Sequence, residues 1–481
     1  MAAFGEARPR VVNHVVRLHR VRGSLIAIIA IVLIATIAST PSRQVEAQRT
    51  AFDDKSTAAH RVVDANPGDY LDKLSTLKAG DTLRLAAGIY NGRPDRPGLP
   101  VFNLHGTPNA RITITGPDDG TKATFIGTAS HNTIRIANAS HVVIRNLDID
   151  GRNLGADGVN AQGVSHDITL ENLTIRGVGN DQGTVAISTN RSPVWNWTIR
   201  GCTIVGAGTG MYLGSSDGSS PFVAGIIEHN VILDTLGYNV QIKHQVPWPS
   251  NIELPSGRTH TIIRHNVFSK RGNGSRGAGA RPNLLVGDVP ERGPGSDNGY
   301  EIYGNYFFQN PTEVLFQGEG NIAFYANVLI NDFGGGMAIQ RHNGHVRDVR
   351  VFGNTIIAAS TGISITPGQT HHTQPIVANL VFAETPIVAP HQEANLLGRY
   401  NDALRDLVRA RDDSGNVDVR LKAGAAGPVL DMHDFVSFSD GDRDFDGRPR
   451  DWRVRGAYSS DARASGRSLR LARKPLPETK R

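Results

Sequence analysis

HTIIRHNVF at residues 260–268 and YEIYGNYFF at 300–308 follow one plan: an alternating apolar run, an asparagine, and a second alternating run. The plan recurs in HVVIRNLDI around Asn146, DITLENLTI around Asn172, GIIEHNVI around Asn230, IAFYANVLI around Asn327, VRVFGNTII around Asn354 and PIVANLVF around Asn379. NWTIRGCTI fits after the second of these, with Gly201 in the asparagine place. From Asn146 through Asn266 and Asn305 to Asn379, successive marks are 26, 29, 29, 36, 39, 22, 27 and 25 residues apart, a period that signals a solenoid. Alternation sends the apolar side chains of each strand to one face. Asparagine tolerates left-handed backbone and suits a tight corner. Stacked coils then bring these amides into register, where they satisfy one another. The expected fold class is all-β: a right-handed parallel β-helix with short capping helices at both ends.

The ends fit that architecture. DYLDKLSTL at Asp69–Leu77 spaces Tyr70, Leu71, Leu74 and Leu77 as a helix covering the first coil, and NDALRDLVRA at Asn401–Ala410 reads as a short helix over the last. A solenoid coil touches only its neighbours, so 481 residues are compatible with a single long domain. Residues 1–47 read as a signal peptide, with several arginines, the apolar run LIAIIAIVLIATIA at Leu25–Ala38, and Val45-Glu46-Ala47 as the cleavage end. The run is short for a membrane span of about 20 residues. Cleavage leaves no stable membrane span, and the destination is secreted or periplasmic; the alternative is an uncleaved anchor. The remaining boundaries are a linker at 48–61, the β-helix with its N-terminal cap and C-terminal extension at 62–458, and a basic disordered tail at 459–481. The net charge of +6 arises at the ends: residues 1–47 contribute +4 and 456–481 contribute +5, leaving the body at −3. The basic pI is therefore no argument for a nucleic-acid partner. The one cysteine, Cys202, forms no internal disulfide and excludes cysteine-rich zinc sites.

Counting on from each corner gives a further strand, with MYLG at Met211, VQIK at Val240, LLVG at Leu284, VLFQ at Val314, MAIQ at Met337 and ISIT at Ile363. Its outward columns read Tyr212, Gln241, Leu285, Leu315, Ala338, Ser364 and Gly214, Lys243, Gly287, Gln317, Gln340, Thr366. A long polar face with glycine gaps suits an extended sugar chain. Lys243 stands in it beside His244 and Gln245. From Leu254 to Gly287 there are six basic residues and no acidic one, which points to an acidic polysaccharide as partner. Proton abstraction next to a uronate carboxylate needs a base, either Lys243 with a lowered pKa or His244, and a cation on the carboxylate, either Arg281 or Arg341. Tyr212, Gln245, Arg281, Gln317 and Gln340 are the expected substrate-binding residues. The clustered aspartates of a polygalacturonase-like hydrolase are missing from this face. No metal ligand set is expected, although the carboxylates of DGDRDFDG at Asp440–Gly447 are of the kind that binds Ca2+.

GDTLRLAAGIYNG at Gly80–Gly92 and DGDRDFDGRPRDWRVRGAY at Asp440–Tyr458 resemble the first coil and the terminus of bacterial β-helix proteins of the pectate-lyase-like superfamily. The Ile242-Lys243 strand resembles, more distantly, the base-bearing strand of polysaccharide lyase family six, the alginate lyases and chondroitinase B. That resemblance implies β-elimination on an acidic glycan with Lys243 as base. The family pairs its lysine with an arginine on the next coil, where this chain has Val286-Gly287-Asp288. Arg341, in GMAIQRHNG, lies three coils away. The resulting expectation is an exported carbohydrate-active protein, a polysaccharide lyase. The alternatives are a non-catalytic glycan-binding β-helix and a uronate C5-epimerase.

Overall fold

The computed structural model describes residues 61–422, 426–460 and 468–475. The expected signal peptide and nearly all of the expected linker lie outside the described residues.

The chain is a parallel β-helix. One wall, a 15-stranded sheet, runs from Val62–Ala65 to His391–Glu393, each strand pairing in parallel with its counterpart one coil away. Two short antiparallel pairs apart, the other strands form two further files. The second wall carries the strand just after the corner, as in Val231–Leu233 and Val267–Ser269. The third carries the next one, as in Val240–Ile242 and Leu284–Val286. Inward side chains stack in columns. Ile144, Leu170, Ile199, Ile227, Ile263, Ile302, Phe324, Val351 and Ile376 are in register through nine coils, and all are fully buried. Burial of one such side chain contributes about 1.5–3 kcal/mol.

The corner between the first and second walls divides the asparagines into two roles. Asn146, Asn172, Gly201, His229, His265, Gly304, Ala326, Gly353, Ala378 and Ala394 occupy one column, every member with φ between 51° and 64°. The next residue points inward, and from Asn230 through Asn266, Asn305, Asn327, Asn354 and Asn379 to Asn395 it is asparagine. Each Nδ2 donates to the Oδ1 of the asparagine one coil on, at 2.9–3.1 Å. Each of these Oδ1 atoms also accepts the backbone N–H of the preceding asparagine. Asn146 and Asn172 therefore stand one residue earlier than the inward stack, in the left-handed column, where they bond to each other near solvent. Asparagine suits both places, for its backbone tolerance in one and its amide in the other.

The helices are shorter than expected. Tyr70–Leu74 ends where the hydroxyls of Ser75 and Thr76 bond back to the carbonyls of Asp72 and Lys73. Asp402–Asp406 gives way to the strand Leu407–Arg409, which pairs antiparallel with Asp418–Leu421 and buries Leu407. This C-terminal region packs on the outside of two walls. Leu407, Val417, Val419, Phe445 and Tyr458 cover Val267, Tyr306, Ile330 and Phe382 of the second wall. Met432, Phe435, Phe438 and Trp452 cover Tyr303, Tyr325 and Phe352 of the first. Within residues 459–481, Leu469 is buried in the second-wall cluster, and Lys474 Nζ lies 3.0 Å from His265 Nδ1.

Asn305→Ala removes partners from Asn266, Asn327 and the carbonyl of Ile263, all buried. The expected cost is about 3 kcal/mol or more in urea unfolding followed by circular dichroism. Asn172→Gly, at the solvent-side column, is expected to cost less than about 1 kcal/mol. Equal costs would contradict the division of roles.

Candidate functional site

The register of the third wall fixes which side chains meet. Met211, Val240, Leu284, Phe316, Met337 and Ile363 are in line. The strand expected to begin at Val314 is therefore displaced by two residues, a shift that alternation cannot detect because Val314 and Phe316 have the same parity. Gln317 falls in the first outward column with Tyr212, Gln241, Leu285, Ala338 and Ser364. Extended by one residue, the second column reads Gly214, Lys243, Gly287, Glu319, Gln340 and Thr366. Lys243 thus stands two rungs from a carboxylate, roughly 10 Å along the stack, and not from Gln317.

Glycine flanks Lys243 on both neighbouring coils. A Cβ on Gly287 would meet the His244 backbone nitrogen at 2.3 Å, so only glycine lets the Lys243–His244 backbone pass there. Lys243 is half-buried, and among the described residues its ammonium has no hydrogen-bond or ion-pair partner. The centroid of the Tyr212 ring is 6.0 Å from Nζ. Burial holds the Lys243 ammonium below the ordinary lysine pKa, against the opposing charge of Glu319. Burial also lowers His244, helped by Lys243 and opposed by Glu319 and Asp217; the charge of His342 reaches the same ring. His244 Nδ1 is buried without a partner. The charges of Lys243, Glu319, Asp217 and His342 thus all act on the His244 ring.

Buried carboxylates shape its far side. Glu319 accepts the backbone N–H groups of His342, Asn343 and Gly344 at 2.8–2.9 Å. Asp288 accepts the N–H of His345 at 2.9 Å and pairs with Arg347 Nε at 2.8 Å. Together they set the turn that carries Arg341 and His342. Arg341 and Gln340 are exposed on it, three rungs from Lys243, about 14 Å.

Two expected contacts are redirected. Gln245 is buried: its Oε1 accepts the Trp248 indole N–H at 2.9 Å, and its amide faces the Phe222 carbonyl, so it braces the loop after the strand. Arg281 donates to the carbonyls of Ala278 and Ala280, and its guanidinium carbon lies 5.8 Å from the Tyr238 ring centroid. Three of the other five basic residues of this run have partners of their own. Arg264 pairs with Glu228 at 2.7 Å, Lys270 Nζ donates to the Arg281 carbonyl, and Arg271 bonds Asp413. Tyr238, which sequence reasoning did not single out, lies near enough to Tyr212 and Arg281 for their charges to act on it. Its signal was its place, two residues before Val240. In the acidic Asp440–Gly447 segment, Asp444 accepts the N–H groups of Asp446, Arg448 and Ser459, which forms a turn.

No family model matches the chain, and no curated protein matches it. Among solved structures, the chain is similar to a GH136 lacto-N-biosidase from Eubacterium ramulus, at 12 % identity and a TM-score of 0.40, over 74 % of this chain and 70 % of that one. A PL6 family polysaccharide lyase from Pseudopedobacter saltans is 14 % identical with a TM-score of 0.37, over 79 % and 99 %. The A-module of a mannuronan C-5 epimerase from Azotobacter vinelandii is 17 % identical with a TM-score of 0.34, over 68 % and 99 %. The strand pairing within this chain, and not these likenesses, carries the description of the fold.

Replacing Glu319 by alanine is expected to release the turn it holds. Hydrogen exchange at the amides of His342, Asn343 and Gly344 should quicken at least about tenfold, while the first-wall amides stay protected. Unchanged exchange at these three amides would contradict the cradle.

Proposed function

We propose that this protein is an exported carbohydrate-active β-helix that binds an acidic polysaccharide along its third wall and cleaves it by β-elimination, with Lys243 as the base. One observation carries the reading. Among the described residues, the C-terminal region covers the outer faces of the first and second walls, and the third wall bears a half-buried lysine without a hydrogen-bond or ion-pair partner. A lysine serves as a base only when deprotonated, and burial moves Lys243 toward that state.

In the proposed reaction the chain contacts the partly exposed residues of this wall, among them Tyr212, Lys243, Gln317 and Ser364. Arg341, about 14 Å along the wall, holds a uronate carboxylate further along the chain and so helps to position the sugar beside Lys243 for loss of its C5 proton. Lys243 Nζ takes that proton. The C4–O bond breaks, leaving a C4–C5 double bond, and the leaving oxygen gains a proton; His244 stands beside Lys243 as the second proton carrier. Tyr212 and Tyr238 supply flat faces beside Lys243 and Arg281, one cation to each ring. Hydrolysis by a carboxylate pair is disfavoured because Glu319 and Asp288 are buried and engaged by backbone N–H groups.

The mature protein, incubated with alginate, pectate, chondroitin and heparin-like chains, is expected to release unsaturated uronate from at least one of them, read by absorbance. Lys243→Ala should lower kcat about 10²–10⁴-fold, and Lys243→Arg should not restore it, because a guanidinium stays protonated. The rate should rise with pH with a midpoint below the ordinary lysine value near about 10.4. Binding without product would support the glycan-binding alternative, and an inverted C5 without cleavage would identify an epimerase. Full activity of Lys243→Ala would remove the assignment.

A further inference from the structure

Another bend of the coil, within the first wall, gathers side chains that the third wall does not use. His141, Asp167, Asn196 and Ala224 take equivalent places in successive coils, each with left-handed backbone at φ 53°, 54°, 55° and 51°. The residues just before them, Ser140, His166, Trp195 and Val223, are in register. This stacking brings two imidazoles and a carboxylate together from adjacent coils. His166 Nδ1 lies 2.7 Å and His141 Nε2 4.0 Å from the same oxygen, Asp167 Oδ2. One donor atom from each of the three residues falls within 4.8 Å of the others.

The surroundings orient these donors. The His166 ring is stacked on Trp195, with centroids 4.7 Å apart and planes 7° from parallel, and it meets the His141 ring edge-on at 5.6 Å. Asn196 Nδ2 donates to the other carboxylate oxygen, Asp167 Oδ1, at 3.4 Å, which leaves Oδ2 turned to the imidazoles. Arg111 Nη2 donates to the Asp167 carbonyl and fixes the backbone below. Such outer contacts hold ligand side chains in place at metal centres. The three side chains keep 17 %, 32 % and 27 % of their surface exposed, so the cluster has a solvent side from which an ion can enter and a further ligand can bind.

We propose that His141, His166 and Asp167 form a binding site for a divalent transition-metal ion of the zinc class. Two imidazoles and one carboxylate suit Zn2+, Ni2+ or Cu2+, whereas Ca2+ and Mg2+ require shells dominated by oxygen. Zinc takes such donors at about 2.0–2.2 Å. The separations of 2.7 and 4.0 Å reach that geometry through side-chain rotations of about 1 Å. The ion would tie the coil containing Ala139–Arg145 to the coil containing Ser165–Glu171. The positive charge of Arg111 opposes it and keeps the affinity moderate.

Calorimetry of the full-length protein with ZnCl2, and with CaCl2 as comparator, tests the site. Zn2+ is expected to bind with a component that weakens at least tenfold in His141→Ala and in His166→Ala, and Ca2+ is expected to give no such component. The chain has 17 histidines, so His372→Ala, which alters the adjacent His371–His372 pair, serves as the background control and should keep the component. Co2+ loading should give visible absorption bands in the wild type that Asp167→Asn shifts or loses, with unchanged far-ultraviolet circular dichroism showing that the variant is folded. Zn2+ binding equal in wild type and both histidine variants, or cobalt bands indifferent to Asp167→Asn, would overturn the proposal and leave His166–Asp167 as a hydrogen-bonded pair.

Discussion

The inward asparagine stack from Asn230 to Asn395 is the constraint on which the coils carrying Lys243 and Glu319 depend. The amides from Asn230 to Asn379 are buried, and a buried amide without a partner costs a few kcal/mol. Registering one coil against the next satisfies donor and acceptor together, and any slip of one residue would orphan both. The stack therefore fixes coil spacing and register at the corner, and the two walls beyond it inherit both. Coil length varies freely in the loops because the corner resets the register every time. That is why the long insertions around Trp248 and Arg276 leave Val240–Ile242 and Leu284–Val286 directly paired.

That inheritance carries the chemistry. Lys243 and Glu319 are 76 positions apart in the chain, yet they share a column two rungs apart on the third wall. Glu319 and Asp288 are buried charges made tolerable by backbone N–H groups and by Arg347. They turn a loop that would otherwise be loosely held into a fixed edge carrying Arg341 and His342. Aromatic and aliphatic residues of the C-terminal region seal the outsides of the other two walls, whereas on the third Tyr212, Gln317, Ala338 and Ser364 are partly exposed and Gln241 and Leu285 between them are buried.

Much of the fold was legible in the sequence because the alternation and a corner asparagine recur in most coils from Asn146 onward. Register was harder to read. Asn146 and Asn172 look like members of the inward stack, yet they stand one residue earlier, because the left-handed place and the amide stack both favour asparagine. Gln317 was displaced by two residues because alternation cannot distinguish Val314 from Phe316. Lys243 and His244 were visible as charges next to an apolar strand flanked by glycines. The roles of Glu319, Asp288 and Gln245 were not, since these depend on backbone N–H groups and an indole brought near by folding. Arg281 was chosen for its charge, but its guanidinium is partly engaged by the carbonyls of Ala278 and Ala280. Tyr238 carried no local pattern beyond its position.

Disulfide trapping between neighbouring coils reads the third-wall register directly. Gln317 and Ala338 face each other on adjacent strands, at the roughly 4.8 Å spacing within which a disulfide closes without backbone movement. The double variant Gln317→Cys with Ala338→Cys is expected to oxidise rapidly and completely in the folded protein, with Cys202 buried and uninvolved. Leu315→Cys with Ala338→Cys, the pairing required if the strand began at Val314, is expected to stay reduced. The reverse result would break the column that brings Lys243 and Glu319 together, and the account of the groove with it.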